Sequence, residues 1–424
     1  MAQKFQSVRG FNDILPADTV IWQRVEAAAR ETFTAYGYGE IRIPLLESTA
    51  LFKRAIGDAT DVVEKEMFSF DDRDSGNLTL RPEFTAGLVR AGLEHGLLHN
   101  QQQRLWCMGP VFRHERPQAG RYRQFHQLDV EAYGIPGPDV DIEIVALSAR
   151  LLRRLGLADL TLELNSLGEG DARVAYRAAL VEYLERYESS LDEDSRRRLK
   201  TNPLRVLDSK VPATQEIARD APLLLDHLDS VSRAHFDALR QGLEDLGIDY
   251  VVNPRIVRGL DYYTRTVFEW TTTRLGSQGT VLAGGRYDGL VAQLGGSPSP
   301  AIGWASGIER LILLLKAQGD IEAPPLADIY VCVLGEQAQR PAARLAEQLR
   351  DSGFSVVLNV GGGKLPAQFK RADRSGARFA LVLGDVEAAA EQVQVKSLRD
   401  AASPQETCTW AELPARLRSL FTVL

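Results

Sequence analysis

Three cysteines, Cys107, Cys332 and Cys408, are all that 424 residues contain. They stand far apart, so neither a disulfide framework nor a CxxC metal knuckle is available, and the pattern fits a reducing compartment. No run of 18 apolar residues occurs, which argues against a membrane-spanning helix, and no membrane partner is expected. The opening residues, MAQKFQSVRGFNDILP, lack an apolar stretch of the kind that directs secretion, so a cytoplasmic location is expected. A Walker A loop is missing too. Gly363-Lys364 is followed by Leu365, and Leu358 stands where the first glycine would be. Any nucleotide must therefore be held by another fold. His95 and His99 are four apart, as on one helix face, but have no third ligand at a suitable spacing, so they read as solvated, and no metal site is assigned. Excess basic charge is also absent. Lys and Arg number 50 against 57 Asp and Glu, a formal charge of −7. That excludes a histone-like coat but leaves local nucleic-acid patches open.

What is present is ordinary globular composition, 44% apolar and 25% charged. Residues 17–36 carry an apolar 3.6-residue period that ends at Gly37 and predict a helix. A short strand follows at Glu40–Pro44. Residues 104–134 predict an antiparallel hairpin with a long Gly/Pro/Arg-rich connection, and Leu160, Leu162 and Leu164 another strand. Residues 171–250 turn charged, Leu/Ala/Arg-rich and helical, as an insertion would. Ala323-Pro324-Pro325 reads as a linker. Beyond it, strands at 329–334, 354–358, 378–383 and 393–396 alternate with helices at 337–351, 365–374 and 410–421. That spacing predicts a small parallel or mixed α/β domain.

Four segments carry chemistry. Residues 104–126 hold Arg104, Arg113, Arg116, Arg121 and Arg123 against a single acid, Glu115, interleaved with Phe112, Tyr122 and Phe125. Guanidinium groups suit phosphate and aromatic faces suit a base, although a solvated loop would look similar. Arg258-Gly259-Leu260-Asp261-Tyr262-Tyr263 packs charge and tyrosines as a polar-substrate site does. Gly284-Gly285-Arg286-Tyr287-Asp288-Gly289 and Gly303-Trp304-Ala305-Ser306-Gly307-Ile308-Glu309-Arg310 permit close approach of a ligand, or merely tight strand-to-helix packing.

In this order these strings resemble the class II aminoacyl-tRNA synthetases and, over essentially the full chain, the bacterial histidyl-tRNA synthetase family. The helix and strand ending at Pro44 resemble motif 1, the dimer-forming element. Phe112-Arg113-His114-Glu115 with Phe125 resembles motif 2, and Gly307-Ile308-Glu309-Arg310 motif 3. Arg81-Pro82-Glu83-Phe84-Thr85-Ala86, residues 258–263 and residues 283–288 resemble the histidine-specific signatures. Leu164 to Gly168 and Leu204 to Lys210 resemble further family stretches. Phe84 departs from the bacterial pattern, which usually has glycine there.

The resemblance implies an α+β catalytic core, an antiparallel sheet with flanking helices, over residues 1–325. It implies a helical insertion at 171–250 and an anticodon-binding α/β domain at 326–424. It implies ligation of L-histidine to tRNA(His) through a histidyl-adenylate, with ATP and Mg2+, no prosthetic group, and a homodimer. Arg258 and Arg113 are the expected catalytic cations. Arg113, Glu115, Arg121, Phe125 and Arg310 are expected at ATP. Glu83, Thr85, Gln127, Glu131, Arg258, Tyr262 and Tyr263 are expected at histidine, with Glu131 taking the imidazole N–H. Arg116, Gln118 and Arg123 are expected near the tRNA acceptor end. Lys364, Lys370, Arg371 and Arg374 are candidate anticodon contacts or a solvated helix face. The alternative is a catalytically inert regulatory paralogue acting in histidine biosynthesis. That reading fits poorly with a full set of site arginines and a complete C-terminal domain.

Overall fold

The computed structural model describes residues 4–57, 60, 62–74, 76–207, 209, 211–256, 262–276, 279–319, 326–400 and 404–423. The linker reading at 323–325 and the positions Asp208 and Lys210 lie outside them. The chain divides into two compact units, Met1–Ile321 and Glu322–Leu424.

The first unit is built on an eight-stranded sheet. Its spatial order is Gly39–Glu40, Gln103–Phe112, Gln124–Tyr133, Ala301–Gly307, Thr280–Arg286, Thr264–Thr271, Thr161–Ser166 and Val251–Val252. The six inner strands run antiparallel, and only the two-residue edge strands pair in parallel. The strand expected at Glu40–Pro44 shrinks to Gly39–Glu40, with one further bond from the Ile41 N–H to the Trp106 carbonyl. The sheet is two-faced because its strands alternate. Trp106, Leu128, Val130, Ile302 and Phe268 turn into one large apolar core. Helices Pro16–Ala35, Pro138–Arg154, Ser230–Asp245 and Ile308–Gln318 cover that face.

Helix Pro16–Ala35 shows how local sequence makes these elements. Pro16 at its first turn costs no hydrogen bond there, and Ile21, Trp22, Val25, Ala28, Ala29 and Phe33 form the buried stripe. Gly37, at φ +76°, ends it. The N–H groups of Gly37 and Tyr38 return to the carbonyls of Thr34 and Phe33, satisfying the last turn in a conformation that glycine adopts without strain.

A buried charge network ties the sheet to this helical layer. The side chains of Arg286 and Asp141 are fully buried, with Nη2 2.5 Å from Oδ1. Arg286 also reaches Asp288 at 3.0 Å and the carbonyls of Ile135 and Gly137. Asp141 Oδ2 accepts from Thr266 at 2.6 Å and contacts His235 Nε2 at 2.7 Å. Burial alone would raise the Asp141 carboxyl, but His235 and Arg286 hold it below its usual value.

The helical stretch expected at 171–250 divides. Helices Gly170–Glu185, Glu193–Thr201 and Pro212–Arg219 enclose their own apolar cluster from Tyr176 to Leu228. Helix Ser230–Asp245 instead buries Phe236, Leu239 and Leu243 in the main core.

The second unit is a five-stranded mixed sheet in the order Val356–Leu358, Ile329–Val333, Phe379–Leu383, Gln392–Ser397 and Glu406–Thr409. Its first three strands are parallel and the rest antiparallel. Ile329, Val331 and Leu381 pack against helices Gln339–Asp351 and Leu413–Val423, and Tyr330, Cys332 and Ala380 against helix Leu365–Arg374. Both faces are covered, so its central strands read as continuous apolar runs.

Arg286→Ala leaves two carboxylates without their cation. The expected cost is about 3–5 kcal/mol, read by urea unfolding through tryptophan emission from the first unit. A loss below about 1 kcal/mol, the surface value, would show that the network is not the tie described.

Candidate active site

The face of strand Gln124–Tyr133 opposite the core is polar. Phe125, Gln127, Asp129 and Glu131 lie two residues apart, so the pleat points all four the same way, into a cavity of about 300 Å³. Strand Ala301–Gly307 pairs beside it and sets Gly303 opposite Glu131. A β-carbon on Gly303 would sit 1.5 Å from Glu131 Oε2, so the carboxyl occupies the space a side chain would need.

The inner end of the cavity is acidic and tyrosine-rich. Glu131 is 1% exposed. Its Oε1 accepts from the Thr85 hydroxyl at 2.8 Å and its Oε2 from the Tyr287 hydroxyl. Burial raises the Glu131 carboxyl to about 8, while those two donors oppose the rise. Burial likewise lifts the Tyr287 phenol well above its ordinary range, so it stays a donor. The Tyr262 ring lies 4.7 Å from Tyr263 and 5.4 Å from Tyr287. Glu83 accepts the N–H groups of Thr85 at 2.7 Å and Ala86 at 3.0 Å, and so caps helix Thr85–Glu94. Burial raises its carboxyl too. Gln127 is buried with its Oε1 unpartnered. Phe84, where the sequence departs from the family pattern, packs its ring under the Arg81 guanidinium at 4.2 Å and is 1% exposed.

The outer end is cationic. Arg113, Arg121 and Arg310 all line it. Arg113 donates to the Pro82 carbonyl at 2.8 Å and lies 5.4 Å from the Phe125 ring centre. Arg310 donates to the Thr280 carbonyl. Its pKa is lowered, first by burial and then by the neighbouring cations Arg121 and Arg113. Like charges held together in a half-buried wall favour a polyanion that offsets them. Glu309 fixes the helix carrying Arg310 to the central strand, accepting the His126 backbone N–H at 3.0 Å and meeting Nδ1 at 3.0 Å.

Eleven of the expected residues, Glu83, Thr85, Arg113, Glu115, Arg121, Phe125, Gln127, Glu131, Tyr262, Tyr263 and Arg310, meet at this one cavity. Glu115 is held by Arg121, an ion pair that the sequence reading did not anticipate. Arg258 lies outside the described residues. Arg116 and Gln118 are exposed on the connecting loop, and Arg123 donates to the Glu115 carbonyl at 3.2 Å, so none of these three lines the cavity. Asp129 lines it without having been singled out, and Tyr287 and Glu309, which stand in the quoted motif strings, line it without having been assigned a role there. Asp129 was findable, since it falls midway in the period-2 series from Gln127 to Glu131. For Tyr287 and Glu309 the motif strings marked the segment, while their placement at the cavity depends on strand pairing and helix docking. In the second unit, Arg371 is engaged within its own fold by the Asn359 side chain and the Gly362 carbonyl, whereas Lys364, Lys370 and Arg374 are exposed.

The sequence model described as histidyl-tRNA synthetase matches residues 10–311, and that of an anticodon-binding domain matches residues 328–420. The chain belongs to the histidyl-tRNA synthetase family. Apo histidyl-tRNA synthetase from S. aureus is 35% identical over 98% of this chain and 100% of that one, with a TM-score of 0.83. The enzyme of the same name from Nostoc sp. PCC 7120 shares the fold at 22% identity over 99% and 100% of the two chains, with a TM-score of 0.71. An ATP phosphoribosyltransferase regulatory subunit/histidyl-tRNA synthetase from Bacillus halodurans C shares it at 23% identity over 91% and 99%, with a TM-score of 0.67. The class II core and the separate anticodon-binding unit of the family therefore correspond to the two sheets described above.

Inorganic tripolyphosphate should raise the melting temperature of the first unit, and Arg310→Gln should weaken that binding by about 1.5–3 kcal/mol, one charged contact. Calorimetric titration of both proteins measures it. Equal affinities would place the polyanion elsewhere.

Proposed function

We propose that the chain activates L-histidine with ATP in this cavity and passes the histidyl group to tRNA(His), as a class II histidine–tRNA ligase. The observation that carries this reading is the polarity of one cavity. It runs from three arginines suited to a triphosphate to a buried carboxyl flanked by tyrosines suited to an imidazole.

The histidine carboxylate attacks the α-phosphorus of ATP in line, and pyrophosphate leaves. A ribose hydroxyl at the tRNA end then attacks the adenylate carbonyl, and AMP leaves. The first step needs positioning and charge neutralisation more than proton transfer. Arg113 is assigned to the α-phosphate, Arg310 to the γ-phosphate and Arg121 to a further phosphate contact. Phe125 stacks on adenine, and Glu115 exchanges its bond to Arg121 for the adenine amino group. Magnesium enters as part of the metal–nucleotide substrate. Among the described residues no group of three or more His, Cys, Asp or Glu side chains forms a protein-only cage for it, and Mg2+ on nucleotides characteristically takes most of its ligands from phosphate and water. Arg258 is assigned, on the resemblance alone, to the reacting carboxylate and phosphate.

At the inner end Glu131 accepts the imidazole N–H and Tyr263 serves the other ring nitrogen, with Tyr262 completing the wall. Glu83, Thr85 and Gln127 take the α-ammonium group. Glu83 has spent only one lone pair on each oxygen in capping its helix, so both oxygens can accept again. Arg116, Gln118 and Arg123 are assigned to the acceptor end and the second unit to the anticodon loop. Residues 1–325 then form the catalytic domain with the 171–250 stretch within it, and residues 326–424 the anticodon-binding domain. A homodimer through the elements ending at Pro44 completes the proposal. The regulatory reading would leave the clustered arginines without a polyanion to bind.

ATP–pyrophosphate exchange, run with one amino acid at a time and no tRNA, is expected to respond to histidine alone. Exchange with a different amino acid would overturn the pocket assignment, and none at all would return the regulatory reading. Glu131→Gln should raise the histidine KM by about tenfold or more while the ATP KM stays near its original value. Parallel rises in both would argue against ring reading by Glu131.

A further inference from the structure

Asp129 is 1% exposed and lines the cavity between Gln127 and Glu131. It pairs across the sheet with Cys107 on one side and Ala305 on the other. Its Oδ1 is buried and has no hydrogen-bond partner. The titratable and charged groups around it are Glu131 and Tyr133 on its own strand, Cys107 on the neighbouring strand, and Glu83 and Arg81 from the segment that leads into helix Thr85–Glu94. Arg81 is the one cation among them. It is committed to the carbonyls of Ile43, Pro44 and Pro110, and among the described residues it forms no ion pair with Asp129.

A carboxylate in that position would bury a full charge with one oxygen unsolvated, whereas a neutral carboxyl loses little there. Burial together with the nearby Glu131 and Glu83 acts in the same direction, raising the Asp129 carboxyl well above its usual value. The two carboxyls lie two residues apart on one strand, so the pleat sets them on the same face and both line the cavity. Within such a pair the proton stays on the partner with fewer donors. Glu131 already receives hydroxyls from Thr85 and Tyr287, and Asp129 Oδ1 receives none.

We propose that Asp129 is a positioning residue for histidine recognition: it keeps the proton of an Asp129–Glu131 pair, donates it as a hydrogen bond to Glu131, and so makes Glu131 the member of the pair that ionises to accept the imidazole N–H. The inference rests on the histidine pocket proposed above. It makes the acceptor a pair of carboxyls rather than one. The pair has a working range, because at alkaline pH it loses the remaining proton and two adjacent charges face each other.

The test compares the full-length protein with Asp129→Asn, which keeps an N–H donor and cannot ionise, and Asp129→Ala, which has neither property. Histidine KM is followed by pyrophosphate exchange from roughly pH 6 to 9. Titration of free histidine is common to all three proteins and cancels in the comparison. The wild type should lose histidine affinity on the alkaline side. Asp129→Asn should keep the neutral-pH KM within about twofold and lose that alkaline limb. Asp129→Ala should raise the KM by about tenfold, the worth of one hydrogen bond, with the ATP KM unmoved. Infrared difference spectra at neutral pH should show a protonated-carboxyl band in the wild type that Asp129→Asn removes. Identical pH profiles in all three proteins, or a band that survives in Asp129→Asn, would overturn the proposal. Failure of the wild type to exchange with histidine would instead overturn the pocket reading, while the infrared comparison would still decide the pair.

Discussion

The first unit depends on one constraint: the Gln124–Tyr133 strand must bury both of its faces while only one of them is apolar. Leu128, Val130 and Ala132 join the helical layer and supply the ordinary hydrophobic drive. Phe125, Gln127, Asp129 and Glu131 have to be accommodated on the other side, where burial of polar groups is costly unless each finds a partner. Much of the surrounding architecture answers that need. Glycine at position 303 makes room for a carboxyl, Thr85 and Tyr287 bring hydroxyls to it, and Glu83 turns its own charge to capping a helix.

The answer is incomplete in a useful way. Gln127 and Asp129 each retain a buried atom without a partner. Arginines from the connecting loop and a helix crowd together at the far end of the same cavity, one of them with its charge disfavoured by burial and by the others. A protein that only had to be stable would relieve such positions with apolar residues. Leaving them fits the proposed function, in which the ligands bring cationic nitrogen to one end and phosphate to the other. The Arg286–Asp141 network is the structural counterpart. It spends buried charge on holding strand Thr280–Arg286 to the helical layer, which fixes Tyr287, the next residue, relative to Glu131.

Several of these features could be read directly from the residues. Helix Pro16–Ala35 declares itself by its apolar period and the glycine that follows it, and the hairpin of residues 103–133 by short apolar runs leading into a Gly/Pro/Arg-rich connection. In the second unit the alternation of apolar strands with amphipathic helices located most elements to within a few residues. It missed the short helix Asp385–Ala389 and the edge strand Glu406–Thr409, which are too brief to show a period. The stretch expected to be helical at 171–250 is helical, and what the sequence did not show is that it packs in two places. Helix Ser230–Asp245 resembles its neighbours locally, but its apolar stripe belongs to the main core.

Sequence by itself determined the family, the two-part organisation and the residue types of the site, because ordered short motifs and hydrophobic periods are local quantities. It could not say that Glu115 pairs with Arg121, that Glu83 caps a helix, or that Arg371 braces its own loop. Those outcomes depend on which charged groups arrive within a few ångströms of each other after the sheets assemble. The protonation of the inner carboxyls is decided at the same level. Asp129 and Glu131 are two ordinary acids in the sequence. They become neighbouring buried carboxyls only when the pleat aligns them and the packed fold removes the water that would have kept them both charged.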